Sequence, residues 1–186
     1  MVPLTRLCSP ILVSAFLVFV ASSISHAVVQ FHRSDYRKLP VEAEMLELLG
    51  KRVVPPGDYL FPRAGSRAEM NEASFREKWK NGPVGMMTLL PTGGLPMART
   101  YVLWFLYCTV VGGFAGYVAG RAQPAGASAA AVFHVAAVTA FAGYALALWQ
   151  DSIRYGRSFP TTLRFTADAV AYALLTGGAF GWLWPK

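Results

Sequence analysis

ILVSAFLVFVASSISHAVVQF, residues 11–31, decides the fold: it holds no Lys, Arg, Asp or Glu. As a helix it would extend about 30 Å at ~1.5 Å per residue, the thickness of a bilayer's hydrocarbon core. Three more uncharged or nearly uncharged stretches follow, at 100–120, 129–149 and 164–184, the last holding Arg164 and Asp168. The 186-residue chain is 54% hydrophobic and 15% charged, against roughly 25% charged in a soluble domain. Its mean hydropathy is +0.38. The reading is an all-α membrane protein with four transmembrane helices. Between the first and second runs a loop of about 68 residues, 32–99. A short outer tail, 1–10, precedes the first helix, and a second loop occupies 150–163. Disordered, fibrous and disulfide-rich secreted classes are excluded by the composition.

A cleaved signal peptide is the rival reading of the first run. Arg6 would supply the basic start, 11–21 the apolar core, and Ser25-His26-Ala27 the small-x-small cleavage site. Against it, the apolar run continues through Val28, Val29 and Phe31 into the basic flank His32-Arg33 and Arg37-Lys38, as expected of a retained helix.

The formal charge is +7, and its placement is informative. Eleven of the seventeen basic residues lie in 32–99 and three in 154–164, leaving one in each remaining connection. The positive-inside rule puts loops 32–99 and 150–163 in the cytoplasm and both termini outside. The reverse orientation is the alternative. Nucleic acid is not expected as a partner, because eight acidic residues interleave with the basic ones in 32–99 and no recognition motif accompanies them. The expected partners are the lipid bilayer, a protein docking on residues 40–83, and a second copy of the chain.

Within the long loop, helical spacing of Val41, Met45, Leu48 and Leu49 predicts a short amphipathic helix ending at Gly50, and a second is predicted over 67–80 with Phe75 and Trp79. VVPPGDYLFP, 53–62, reads as an extended stretch with a turn signal, and 84–90 as a strand or an interfacial segment. Trp104, Tyr107, Trp149, Tyr155, Trp182 and Trp184 cluster near the run ends, matching an interfacial aromatic belt.

Small residues recur at close spacing: Gly112, Gly116 and Gly120 in the second run, and Ala169, Ala173, Gly177 and Gly181 in the fourth. In lipid such faces let backbones approach and associate by van der Waals contact. They are read as packing seams, internal to the chain or between copies.

Three ionisable groups fall inside the runs: His26, His134 and Asp168. An intramembrane ionisable residue is a functional-site candidate by default. Under the proposed topology His26 and Asp168 sit at similar depth and form a candidate intramembrane pair, a carboxylate fixing an imidazole tautomer as a proton relay or ligand site requires. The plainer reading pairs Asp168 with Arg164 one turn away. His134, at the opposite face, is read as a neutral histidine bonded to a neighbouring helix.

A metal site from His26, His32 and Asp35 is not expected, since spacings of six and three do not share one helical face. The segment 32–38 is read instead as a solvated collar facing lipid headgroups. Hydrolase elbows, phosphate loops, zincin helices and paired cysteines are missing, so no catalytic residue, cofactor or metal is assigned and an enzyme is not expected.

The strings SSISHAVVQFHRSDYRKLP (22–40), PPGDYLFP (55–62), WQDSI (149–153) and FGWLWPK (180–186) resemble a group of uncharacterised bacterial inner-membrane proteins with four predicted helices. The resemblance implies a retained first helix and a bacterial setting, and no activity. The function expected is an accessory or scaffold component of the inner membrane. The runner-up is an oligomeric small-solute or proton-coupled transporter or channel using His26 and Asp168. A membrane enzyme comes third.

Overall fold

The computed structural model describes residues 1–186 and divides into two compact units, 1–37 with 97–186, and 38–96.

The first unit is an up-and-down bundle of four long helical rods. Rod one is α1 (Cys8–Ile24), prolonged by a π turn over Ser25–Val29. Helices α2 to α4 belong to the second unit. Rod two is α5 (Met97–Ala122), and rod three runs from α6 (Ala129–Phe141) through a second π turn (Ala142–Leu146) into α7 (Leu148–Tyr155). Rod four is α8 (Phe159–Trp182).

Three of these rods are long and apolar enough to cross a membrane: Cys8–Val29, Met97–Ala122 and Ala129–Tyr155. The chain is therefore read as a membrane protein. The fourth expected span, α8, has 24 residues but is less apolar, because Arg164 and Asp168 share it with Thr161, Thr162, Thr166 and Thr176. The loop expected at 150–163 is mostly helix, since α7 continues to Tyr155 and Gly156, at φ 71°, ends it.

Side-chain size is sorted across this unit. Large apolar residues such as Phe16, Val102, Leu106, Val110 and Phe114 point outward. The interior is built from Ala15, Val18, Ala115, Ala119, Ala136, Ala140, Ala169 and Ala173. An exposed apolar surface of this extent is a membrane or partner surface, and small residues inside let the backbones close up. Three approaches in this unit are tight enough to require glycine, the closest being Gly120, where a Cβ would lie 2.5 Å from the Val2 carbonyl. A Cβ on Gly177 would lie 2.8 Å from Ala137 Cβ and 2.9 Å from the Phe133 carbonyl; one on Gly181 would lie 2.8 Å from the Ala129 carbonyl. On α5, Gly112 abuts Ser14 and Ile11, Gly116 abuts Phe180 and Ile11, and Gly120 abuts the Val2 carbonyl. The small-residue faces thus join helices inside the chain.

The first ten residues are no free tail. A 3-10 turn at Leu4–Arg6 leads into α1, the Val2 N–H donates to the Gly120 carbonyl at 2.8 Å, and Leu7 is fully buried. The opposite terminus closes the same end. The Gly126 N–H donates to the Pro185 carbonyl at 2.9 Å, and the Trp184 indole N–H to the Pro124 carbonyl at 2.9 Å.

The second unit corrects the all-α reading. It contains α2 (Glu42–Lys51), β1 (Gly57–Phe61), α3 (Arg67–Asn71), α4 (Ala73–Asn81) and β2 (Gly85–Leu89). The strands pair antiparallel with Tyr59 opposite Met87, and Thr88 Oγ1 donates to Asp58 across the ladder at 2.7 Å. The single helix predicted over 67–80 is two, broken at Glu72, whose ψ of 143° is extended. Ser66 caps α3 by accepting from the Glu69 N–H at 3.1 Å, and the Glu69 carboxylate accepts from Gly65 N–H at 2.6 Å, a reciprocal cap. Gly50 does not end α2, which continues to Lys51.

Candidate functional site

The polar centre lies where rod one ends and α8 begins. The π turn at Ser25–Val29 is followed by Gln30 in the left-handed region at φ 52°. This reversal turns the chain back on the helix it has just left. His32 is thereby laid over His26, ring centroids 4.5 Å apart and planes 18° from parallel. On its other side His32 meets the Phe165 ring at 4.3 Å, and Phe165 in turn carries the Arg157 guanidinium at 4.7 Å.

Both nitrogens of His32 face carboxylates. Nδ1 lies 2.6 Å from Asp35 Oδ2, and Nε2 lies 2.9 Å from Asp168 Oδ2. Asp35 also receives the Arg164 guanidinium. Arg164, Asp168 and Tyr172 stand four residues apart on one face of α8. The Tyr172 hydroxyl donates to Asp168 Oδ2 at 3.3 Å, and the Ser25 hydroxyl to Asp168 Oδ1 at 3.2 Å. Basic and acidic groups alternate along Arg164, Asp35, His32 and Asp168. Burial by itself raises the Asp35 carboxyl pKa; the hydrogen bonds and charges of His32 and Arg164 outweigh it and hold the group below the usual carboxylate range.

The structure brings His26 and Asp168 into one cluster, with a different partner between them. The imidazole bonded to Asp168 is that of His32, while His26 donates from Nδ1 to the Ser22 carbonyl at 2.9 Å. Arg164 is not the counter-ion of Asp168; it pairs with Asp35. Nor is 32–38 a solvated collar throughout: the side chain of Asp35 is 0% exposed and that of His32 9%. His134 is exposed on α6 and takes no part in the cluster. Sequence spacing missed His32 because the helix was carried through Phe31, whereas the chain reverses at Gln30. The spacing of four shared by Arg164, Asp168 and Tyr172 was the available signal that one α8 face is polar.

Beside the cluster is a cavity of about 320 Å³ whose walls include Ser22, His26, Trp104, Tyr144, Asp168 and Tyr172. Trp104 donates its indole N–H to Ser22 Oγ at 2.7 Å and stacks on Tyr107 at 5.4 Å. Tyr144, carried by the second π turn, packs edge-on against Tyr107 and Tyr172. Trp104 and Tyr107, expected in an interfacial belt, line this cavity. Both π turns border it, and π turns inside α-helices occur frequently at functional sites.

Comparison of the chain with protein families, curated proteins and solved structures finds no significant match. The chemistry must therefore be argued from the cluster: two imidazoles, two carboxylates, a guanidinium and two hydroxyls around an aromatic cavity.

Proposed function

We propose that this chain is a four-span protein of a bacterial inner membrane, and an accessory component that binds a small ligand at one end of its bundle. The observation that carries the reading is the Asp168 carboxylate, on a helix interior, hydrogen-bonded by Ser25, His32 and Tyr172 beside an aromatic cavity. Intramembrane ionisable groups of this kind mark ligand, ion or proton sites.

Support for a fourth span comes from the exposed face of α8, which reads Leu163, Ala167, Val170, Ala171, Leu174 and Gly178. Every polar group of its middle turns is directed inward, so its modest hydropathy reflects its interior. The basic residues of 32–99 and 150–163 favour a cytoplasmic position for the polar end and outer positions for both termini. Alkaline phosphatase fused after Lys186 should then be active. A silent fusion, with a cytoplasmic reporter active at the same site, inverts or removes the fourth span.

A one-sided site is favoured over a conduit because the other half of the bundle is filled by Leu7, Ala119, Val132, Ala136 and Phe180, all fully buried. In proteoliposomes the protein should give no proton or cation flux. Flux that Asp168→Asn abolishes would establish the alternative, an oligomeric transporter.

A scaffold role for 38–96 is the second reading. It is favoured by that unit closing on itself while leaving Met70 and Trp79 about half exposed along an apolar groove with Leu60, Pro62 and Phe75. It predicts a stoichiometric partner in mild detergent that is lost on Trp79→Ala.

A further inference from the structure

We propose that His26, His32 and Asp168 form a binding site for a divalent transition-metal ion, with zinc the ion the donor set fits best. The inference deepens the ligand-site reading above by naming the ligand. One ligand atom from each of the three residues lies within 4.8 Å of the other two. Around a tetrahedral zinc with bonds of ~2.0–2.1 Å, donors stand roughly 3.3 Å apart. The His32 Nε2 to Asp168 separation of 2.9 Å must open slightly, and the widest pair must close by about 1.5 Å. The two rings stack 18° from parallel, so their in-plane lone pairs do not yet converge; His26, which is exposed, must tilt out of the stack, pivoting about its Nδ1 bond to the Ser22 carbonyl.

The orientation of the imidazoles is the stronger argument. A ligating histidine ordinarily donates its other ring N–H to a carbonyl or carboxylate, which fixes the tautomer and raises the basicity of the ligating nitrogen. Both histidines are arranged so. His26 Nδ1–H donates to the Ser22 carbonyl at 2.9 Å, leaving Nε2 with its lone pair free. His32 Nδ1 lies 2.6 Å from Asp35, which is braced by Arg164, and Nε2 faces Asp168 at 2.9 Å, so an ion bound there would replace the proton that Nε2 and the carboxylate share. Asp168 is itself oriented by the Ser25 and Tyr172 hydroxyls.

Asp35 is thus a positioning residue and not a third ligand, which is why the sequence spacing of His26, His32 and Asp35 did not suggest a site. Two imidazoles and one carboxylate suit zinc and also the iron(II) class, and they suit calcium or magnesium poorly. Three protein ligands leave a coordination position open. His26 and Asp168 also line the aromatic cavity, and His26 and His32 border a shallow pocket with Gln30 and Arg33.

The test is metal content of the full-length protein in mild detergent, stripped with chelator and re-equilibrated separately with Zn²⁺, Fe²⁺ and Ca²⁺, with affinity read by competition against a chromogenic zinc chelator. One equivalent of Zn²⁺ or Fe²⁺ per chain and no retained Ca²⁺ is expected. His26→Gln, a change at an exposed side chain that keeps a donor for the Ser22 carbonyl, should weaken binding at least 10-fold, and His32→Ala about 100-fold. Asp35→Asn should weaken it ~10- to 100-fold without lowering the stoichiometry, the size of effect seen when an outer-shell partner is removed. His134→Ala should change nothing. Co²⁺ substitution gives a second readout, with the visible bands of a tetrahedral site lost in His26→Gln. The proposal is overturned if no transition metal is retained, or if binding survives in the His26→Gln, His32→Ala double variant. Flux across vesicles would refute the one-sided reading while leaving this metal count as it stands, so the two failures are separable.

Discussion

The two ends of the helical bundle are made from the same four rods and end in opposite states. At one end Leu7, Ala119, Val132 and Phe180 are fully buried and Trp184 nearly so, a solid apolar plug. At the other, the same rods enclose a cavity, and Arg164, Asp35, His32 and Asp168 pack as alternating basic and acidic groups. The difference arises in the backbone. At the plugged end α6 and α8 are regular and meet across glycine and alanine. At the open end both rod one and rod three pass through a π turn, and three tyrosines and a tryptophan hold the rods apart. Close packing and a ligand-sized space are therefore produced in one bundle by changing helix geometry and side-chain volume, with the seams kept.

The plug should fail outright when its seam is filled. Gly177→Leu places a branched side chain where even a Cβ lies 2.8 Å from Ala137 and 2.9 Å from the Phe133 carbonyl, which is backbone and cannot yield. No monodisperse protein is expected by size-exclusion in detergent. A folded variant would show that α6 and α8 are not in contact as described.

At the polar end the largest effect comes from stranding a charge. Arg164→Ala leaves the Asp35 carboxylate with His32 alone, and because Arg164 is itself partly exposed the loss of this charged hydrogen bond should cost about 1–3 kcal/mol. The thermal midpoint should fall sharply, and Asp35→Asn in the same background should recover part of the loss, because the stranded charge is gone. Additive losses would mean the two groups do not interact.

The same carboxylate sets an acid limit. Its folded pKa lies below its unfolded value, so its contribution is present above the usual carboxylate range, near pH 4, and is lost as pH falls through the folded value. Thermal midpoints recorded from pH 6 down to pH 3 should drop less steeply in Asp35→Asn than in the parent chain. An identical slope would place the acid sensitivity elsewhere.

Three long apolar helices were legible because the property that makes them, an uncharged run of bilayer length, is itself a property of sequence. The edges were less so. Rod one was read through Phe31, since nothing at Gln30 signals a left-handed residue as a glycine would. The hairpin was missed as a pairing, because GDYLF and GMMTL each alternate weakly and find each other only across 23 intervening residues. For the site, the juxtaposition of His26 and Asp168 followed from helix depth alone. The residue between them did not, because His32 reaches the cluster by a chain reversal, and depth along a helix says nothing about residues beyond its end.

The smallest effect tests the comparison most closely, through two indole N–H groups. Trp104 donates to Ser22 Oγ at the cavity, and Ser22 keeps a second bond of its own to the Phe19 carbonyl at 2.9 Å. Trp184 donates to the Pro124 carbonyl at the plug, where the ring is 8% exposed. Replacing either by Phe removes one donor. At the cavity the acceptor borders space that water can enter, so Trp104→Phe should cost no more than about 1 kcal/mol. At the plug the carbonyl loses its partner and the smaller ring leaves a void in packed surroundings, so Trp184→Phe should cost roughly 2 kcal/mol. Thermal midpoints of the two variants, measured side by side in one detergent, decide the matter. Equal shifts would mean that the cavity end is as tightly packed as the plug, and the contrast between the two ends would no longer hold.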